Sequence, residues 1–425
     1  MSQKPSLYAI DFGTSNSLLA AVDKDSGSVG EAVVLDPLAK DPTVFRSILF
    51  LSEQSEWSFG AEALRRYVEN GMRGRFLRSL KRFLPMASFE ETRLGSRNVR
   101  LEELVGIFLR EMRRRANEHF AVDVRRVLLG RPALFSTDPD SDALAERRLL
   151  AAAHFAGFDE VHLCPEPVAA AYDFQSRLDR PKLVLVADFG GGTSDFTVAR
   201  LGVSAGAVEV LSMGGISVAG DVLDGTIMRH KVSRHFGSEV TYRAPFGRNV
   251  LKMPRPLMEA LCSPADTCLL ARRDVMTFLR DVQSGSLGPH DKERVDQLVI
   301  LIEDALGFSV FESIEQTKRE LSSGEETLFR FDYPGLDIEE VVTRREFASF
   351  SRDAVGAIFA SLDETLVRAA VAPAQIDLVC CTGGTARVAA IADGILDRFG
   401  VDKIVRLRSL HSVISGLAAK AKAYA

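Results

Sequence analysis

No stretch of this 425-residue chain approaches the roughly 18 consecutive apolar residues of a membrane-spanning helix. Its first residues, Met1 to Ser6, hold no apolar signal core. No membrane partner is therefore expected, and a cytoplasmic location is. Cysteine is scarce: only Cys164, Cys262, Cys268, Cys380 and Cys381 occur. Their number is odd and no Cys-x-x-Cys spacing exists, so reduced thiols are expected rather than a disulfide frame or a zinc site. Basic charge is not in excess. Lys and Arg number 53 against 58 Asp and Glu, a net charge of −5, which does not point to nucleic acid as a partner. Also missing are the Gly-Lys of a Walker loop, Gly-x-Gly-x-x-Gly, His-Glu-x-x-His and Gly-x-Ser-x-Gly. What remains is a globular composition, 46% hydrophobic and 26% charged, long enough for two to three domains.

Two apolar stretches end in nearly the same words. One is Tyr8-Ala9-Ile10-Asp11-Phe12-Gly13-Thr14-Ser15-Asn16-Ser17, followed by Leu18 to Ala20. The other is Val184-Leu185-Val186-Ala187-Asp188-Phe189-Gly190-Gly191-Gly192-Thr193-Ser194-Asp195, followed by Phe196 to Val198. Each reads as a strand, a tight turn and a returning strand. Glycines let backbone N–H groups approach an anion, and hydroxyls add donors. An Asp at the head of the turn suits a hard cation such as Mg²⁺, often through water. One such hairpin would be an ordinary glycine turn. Two matched ones in separate halves imply a duplicated unit that could clamp a polyphosphate.

Taken in order, the chain predicts short strands over 33–50 and 57–60. A basic helix is expected from Glu62 to Phe83, carrying Arg65, Arg66, Arg73, Arg75, Arg78, Lys81 and Arg82. Leu101, Leu104, Val105, Phe108, Leu109 and Met112 recur at helical spacing. A strand over Val127–Pro132 precedes a helix with N-cap candidates from Ser136 to Asp138, Pro139 in its first turn and Gly157 as its C-cap. Val161 to Leu163 gives a strand, and Glu166-Pro167 opens a helix to Phe174. Asp179-Arg180-Pro181 marks a boundary between halves. Gly214-Gly215 and Gly220-Asp221 punctuate a loop, with a helix from Val222. Arg243 to Pro289 is proline-rich and reads as short helices. Val295 to Leu321 reads as one long helix, with Glu315, Lys318, Arg319 and Ser322 on one face. Strands at Leu328–Phe331 and Val341-Val342 and a helix from Arg345 to Ala369 follow. A strand over Asp377–Cys381 then leads into Thr382-Gly383-Gly384-Thr385 and a helix containing Arg387, a third place for backbone amides to meet a ligand. A last helix is expected from Leu410 to Tyr424.

These residues resemble a known family. Asp11 to Ser17 and Asp188 to Asp195 are similar to the two phosphate loops of the 70-kDa heat-shock chaperones (the DnaK type). Glu166-Pro167-Val168-Ala169-Ala170-Ala171 resembles the segment joining their lobes, Glu315 to Ser322 their adenosine-binding helix, and Gly383 to Arg387 their adenosine loop. All five occur in the family's order across nearly the whole chain.

The resemblance implies an α/β actin-like ATPase fold with ribonuclease H-like duplicated domains. Two lobes would flank a cleft holding ATP or ADP with Mg²⁺. Lobe I would be 1–182 with an insertion at about 36–110, completed by a helix at about 405–425. Lobe II would be 183–404 with an insertion at about 222–342. The resemblance further implies that Asp11 and Asp188 hold hydrated Mg²⁺, supported by Glu166. Phosphate would meet Gly13, Thr14, Ser15, Asn16, Gly190, Gly191, Gly192 and Thr193. Lys81 would lie near the γ-phosphate, and Asp195 would orient the attacking water. Gly220, Asp221, Glu315, Lys318, Arg319 and Ser322, with Gly383, Gly384, Thr385 and Arg387, would hold the rest of the nucleotide. Phosphoryl transfer needs positioning and charge neutralisation more than a strong base, which these residue types supply.

The family's peptide-binding domain and lid would follow the ATPase domain, but this chain stops at Ala425, so peptide clamping is not expected. Arg408 to Val413 lacks the acidic residues usual there, Ser15 and Ser194 replace more usual residues, and 243–291 has no counterpart. The expectation is a slow, chaperone-like ATP switch that meets client proteins or co-chaperones. The alternatives are a sugar-type small-molecule kinase of the same superfamily and an actin-like scaffold or filament protein.

Overall fold

The computed structural model describes residues 5–23, 31–70, 73–95, 97–175, 178, 180–202, 208–244, 247–406 and 411–424. Asp179 of the expected boundary and Arg408 to Leu410 before the last helix lie outside these residues. The chain forms two compact units. One comprises Met1–Ala219, Ala357–Ala386 and Ala392–Ala425; the other comprises Gly220–Gly356 and Arg387–Ile391. Among the described residues, no helix is long and apolar enough to cross a membrane.

The first unit is built on two five-stranded sheets with the same topology. In one, Leu7–Phe12 pairs antiparallel with Asn16–Val22, which pairs with Phe45–Arg46. On its other side Leu7–Phe12 runs parallel to Arg126–Arg131, and that strand runs parallel to Glu160–Pro165. In the other sheet, Lys182–Phe189 pairs antiparallel with Ser194–Leu201, which pairs with Val208–Ile216. Lys182–Phe189 also runs parallel to Leu378–Thr382, and that strand to Ile404–Arg406. Each sheet is thus a three-strand meander extended by two parallel strands, the duplication that the twin Asp-Phe-Gly stretches announce.

Between the parallel strands come helices, as right-handed parallel crossovers need. Leu101–Phe120 and Pro139–Phe155 serve the first sheet. Of the cap candidates Ser136 to Asp138, it is Asp138 that starts the second: its carboxylate accepts from the Ser141 N–H, with Pro139 in the first turn. It closes just before Gly157, at φ 91°.

A pair of small-residue helices, Glu166–Gln175 and Ser412–Ala421, completes the core. Ala169, Ala170, Ala171, Leu417 and Ala418 are buried with Ala9, Leu128, Val186 and Cys380 from both sheets. The two helices approach so closely that a Cβ on Gly416 would lie 1.6 Å from the Ala169 carbonyl oxygen. The described thiols Cys164, Cys262, Cys380 and Cys381 are buried.

The second unit is mainly helical. It carries the hairpins Thr241–Arg243/Val250–Lys252 and Glu326–Tyr333/Leu336–Thr343. The latter leads into a helix opened by a reciprocal cap between Thr343 and Glu346.

Four sequence expectations are corrected. The basic stretch after Glu62 is not one helix. Gly60–Glu69 is helical, Arg75–Arg78 is a strand beside Ile48–Leu51, and Leu80–Phe83 makes a single turn. What makes Arg75–Arg78 a strand is its antiparallel pairing with Ile48–Leu51, a contact from outside the stretch itself. The helix expected over 295–321 is two, Asp291–Glu303 and Gly307–Leu321. Ala305 takes φ 53° while the Leu306 N–H donates to Leu301 O at 2.9 Å, a helix stop usually marked by glycine. Arg345 to Ala369 is likewise interrupted at buried Ser351, whose hydroxyl donates to Phe347 O at 2.7 Å. Gly214-Gly215 lies inside a strand, not a loop; a Cβ on Gly214 would stand 2.1 Å from Thr365 Oγ1.

Gly416→Ala is expected to force the helix pair apart. The cost should reach or exceed the ~1–3 kcal/mol typical of overpacking, because a backbone oxygen must move. A thermal-unfolding comparison with the parent chain checks this.

Candidate functional site

Both glycine turns lie at strand ends of the first unit, and both are partly open to solvent. In the first, Asp11 and Phe12 end a strand and Asn16 begins the next. Ser47 secures the turn: its hydroxyl donates to Gly13 O at 2.7 Å and its N–H to Ser15 O at 2.9 Å. Ser17 adds a buried hydroxyl contact to Ser47 at 2.9 Å. In the second, the Gly190 N–H donates to Thr193 O at 2.9 Å.

The stretch Thr382 to Thr385 braces this second turn. Thr382 donates its hydroxyl to Asp188 Oδ1 at 2.6 Å, and Thr385 donates to Gly190 O at 2.8 Å. Gly383 has φ 82°, and a Cβ there would sit 2.0 Å from Phe189 O, so only glycine fits. The two turns are neighbours: a Cβ on Gly192 would lie 2.9 Å from Thr14 Oγ1.

A cluster of charge lies behind the turns. Lys81 and Glu166 form a buried ion pair, with 6% and 7% of their surfaces exposed. Burial alone would lower the Lys81 pKa, but Glu166, Asp11 and Asp195 override it and hold the ammonium above its ordinary value. Asp195 is buried and accepts the Ala133 N–H at 2.8 Å. Burial, then repulsion from Glu166, pushes its carboxyl up to about 7, against a hydrogen bond from Thr193. Asp188 is pushed up to about 6, chiefly by burial, with Thr382 pulling it down. Asp11 is raised well above the carboxylate range by burial and by Glu166, against the pull of Lys81. Asp11 and Asp188 sit deep yet keep some solvent access. Glu166, Asp11, Asp188 and Asp195 thus act on one another and on one ammonium, and a further cation beside them would favour their ionised forms.

Among the described residues, no three or more His, Cys, Asp or Glu side chains converge as a metal-ligand set. A largely hydrated Mg²⁺ would need only one or two carboxylates from a chain. Gly13, Thr14, Ser15 and Gly190 to Thr193 fall in the two turns, and Asn16 opens the returning strand of the first.

The remaining candidates belong to the second unit, apart from Gly383, Gly384 and Thr385. Lys318 is buried; its ammonium pairs with Asp224 at 2.8 Å and donates to Gly220 O at 3.2 Å. Gly220 and Asp221 open the helix Gly220–Ile227, which also carries Asp224. Burial pushes the Asp224 carboxyl up to about 6, with Lys318 opposing. Glu315 and Arg319 form an ion pair one helical turn apart, with Arg319 exposed. The Ser322 hydroxyl donates to Lys318 O at 3.3 Å, and Arg387 ends a short turn, exposed.

Sequence reasoning missed Ser47, Ala133, Asp224 and the Thr382 hydroxyl as a support for Asp188. Only Thr382 and Asp224 carried a signal, the first beside its glycine pair and the second one turn beyond Asp221. Ser47 and the Ala133 amide are brought in by chain pairings with no local mark.

The family profile described as Hsp70 protein matches residues 86–242 and 306–424. A chaperone protein DnaK of Thermosipho melanesiensis is 25% identical over 427 residues, covering 99% of this chain and 59% of that protein. The DnaK of Thermosipho africanus is 24% identical over 94% of this chain and 56% of its own length. That of Thermotoga maritima is 22% identical over 99% and 59%. The chain thus spans less than two thirds of the length of these curated relatives.

The Asp224 carboxyl predicts a pH effect on stability. Its pKa is higher folded than unfolded, so its contribution is complete below the ordinary aspartate value of 3.8 and is lost as pH rises through about 6. The loss is roughly 3 kcal/mol. Asp224→Asn mimics the protonated acid and should flatten the decline between pH 4 and 7. Denaturant melts across that range measure it.

Proposed function

The chain belongs to the Hsp70 protein family, and on that premise we propose that it is an ATP-binding, slowly ATP-hydrolysing switch of the chaperone type. The fold is the actin-like ATPase fold. The observation that carries the reading is the pair of Asp-Phe-Gly turns, with Thr14 beside Gly192, backed by the buried Lys81–Glu166 pair among Asp11, Asp188 and Asp195. In this reading the two sheets are the nuclei of two lobes, 1–182 completed by 405–425, and 183–404.

The roles follow from the chemistry. Backbone amides and hydroxyls of Gly13 to Asn16 and Gly190 to Thr193 bind the phosphates of ATP. Asp11 and Asp188, short of positive charge and partly open, hold hydrated Mg²⁺, with Glu166 behind them. When bound, that ion neutralises phosphate charge that the carboxylates would otherwise repel. Lys81 adds positive charge where negative charge develops around the γ-phosphate. Glu166 keeps its ammonium oriented. Asp195, held by the Ala133 N–H, orients the attacking water and receives its proton; a pKa near 7 suits that task. Thr193 assists at the same turn. Gly220, Asp221, Glu315, Lys318, Arg319, Ser322, Gly383, Gly384, Thr385 and Arg387 serve the adenosine side. Lys318 does so mainly by fixing the start of the Gly220–Ile227 helix.

ATP exchange for ADP would change the surface offered to protein clients or co-chaperones. The location proposed is the cytoplasm.

Purified protein should bind Mg-ATP and hydrolyse it slowly. Asp195→Asn should cut single-turnover hydrolysis about 10²-fold or more while leaving ADP affinity little changed. Absence of both binding and hydrolysis overturns the reading. Turnover that rises steeply with one added metabolite would instead indicate a kinase.

A further inference from the structure

Lys81 sits on a helix of one turn, Leu80–Phe83. Such a turn does not hold itself in water. On its N-terminal side, Ser79 takes φ 56°, a costly conformation for a residue with a Cβ, and among the described residues its buried hydroxyl has no partner. Something else must fix the segment.

On the C-terminal side, the carbonyls of Phe83, Leu84 and Met86 turn toward one nitrogen. Arg148 Nη1 donates to Leu84 O and Met86 O at 3.0 Å each and reaches Phe83 O at 3.4 Å. Arg148 comes from the middle of the helix Pro139–Phe155 and is 9% exposed. Among the described residues its guanidinium has carbonyls, not a carboxylate, for partners. Phe83 is further pinned by stacking on Phe89, with ring centroids 4.8 Å apart. A buried arginine spent on three carbonyls just past a one-turn helix has a purpose only if that turn must not move.

We propose that Arg148 is a positioning residue: by clamping the Phe83–Met86 carbonyls it sets the Lys81 ammonium against Glu166 and beside Asp11 and Asp195. It touches neither substrate nor reacting atoms. As a statement about hydrolysis this rests on the ATPase reading above; as a statement about Lys81 it does not.

Two readouts keep the two apart. The first is the rate at which an acylating reagent modifies Lys81 in the nucleotide-free full chain, followed by peptide mass spectrometry. The second is single-turnover hydrolysis against ADP affinity. Arg148→Met keeps the stem and removes the donors. It should speed Lys81 acylation about tenfold or more and slow hydrolysis roughly 10- to 100-fold, with ADP affinity within about twofold. Arg148→Lys restores three donors on one nitrogen and should recover most of both. Arg148→Gln, with two donors, should fall between and decides the matter if the Met variant does not fold.

Parent-like Lys81 protection in folded Met or Gln variants overturns the proposal. So does equal loss in the Lys and Met variants, which would make Arg148 mere packing. If the parent chain does not hydrolyse ATP, the ATPase reading fails, and the acylation rates still decide the clamp.

Discussion

A buried lysine–glutamate contact underlies the candidate site. Lys81 and Glu166 come from distant parts of the chain, one on an isolated helical turn and one opening a core helix. Removing either would leave a charge with too little water to stabilise it. Keeping both makes the surrounding acids tolerable. Asp11, Asp188 and Asp195 all feel Glu166 as repulsion and Lys81 as relief. One ammonium thus faces four acids, and the raised pKa values of the three aspartates reflect burial together with that imbalance.

The same contact links chemistry to packing. Glu166 begins the helix that packs on Ser412–Ala421, and small residues let the two backbones meet. A Cβ on Gly130 would come within 3.2 Å of both the Glu166 Cγ and the Leu417 Cδ1. The residue that orients Lys81 is thus set by close packing between a strand, its own helix and the last described helix of the chain. Close-packed interiors transmit strain, so a change among Ala169, Gly416 or Gly130 would reach the charge cluster without touching it.

Much of the fold was legible because its signals are local and repeated. Twin apolar runs ending in Asp-Phe-Gly marked two hairpins, and the structure places each at the head of a sheet of the same strand order. Asp138 and Pro139 marked a helix start because capping acts within three residues. Where the reading failed, the deciding contact was elsewhere. Ala305 ends a helix without the glycine that usually shows it. Arg75 to Arg78 became a strand because Ile48–Leu51 stands beside it. Gly214 and Gly215 looked like loop residues, whereas close neighbours, Thr365 and the Asp195 carboxylate, exclude side chains there.

The duplicated hairpins, the acid at the head of each turn, the glycines that free the backbone amides, and family membership are all written in residue types at short spacing. Packing alone brings Lys81 to Glu166, Ala133 to Asp195, Thr382 to Asp188 and Lys318 to Asp224. Those pairings join residues tens to hundreds of positions apart. Burial then sets their charge states, and burial is a property of the packed chain rather than of any stretch within it.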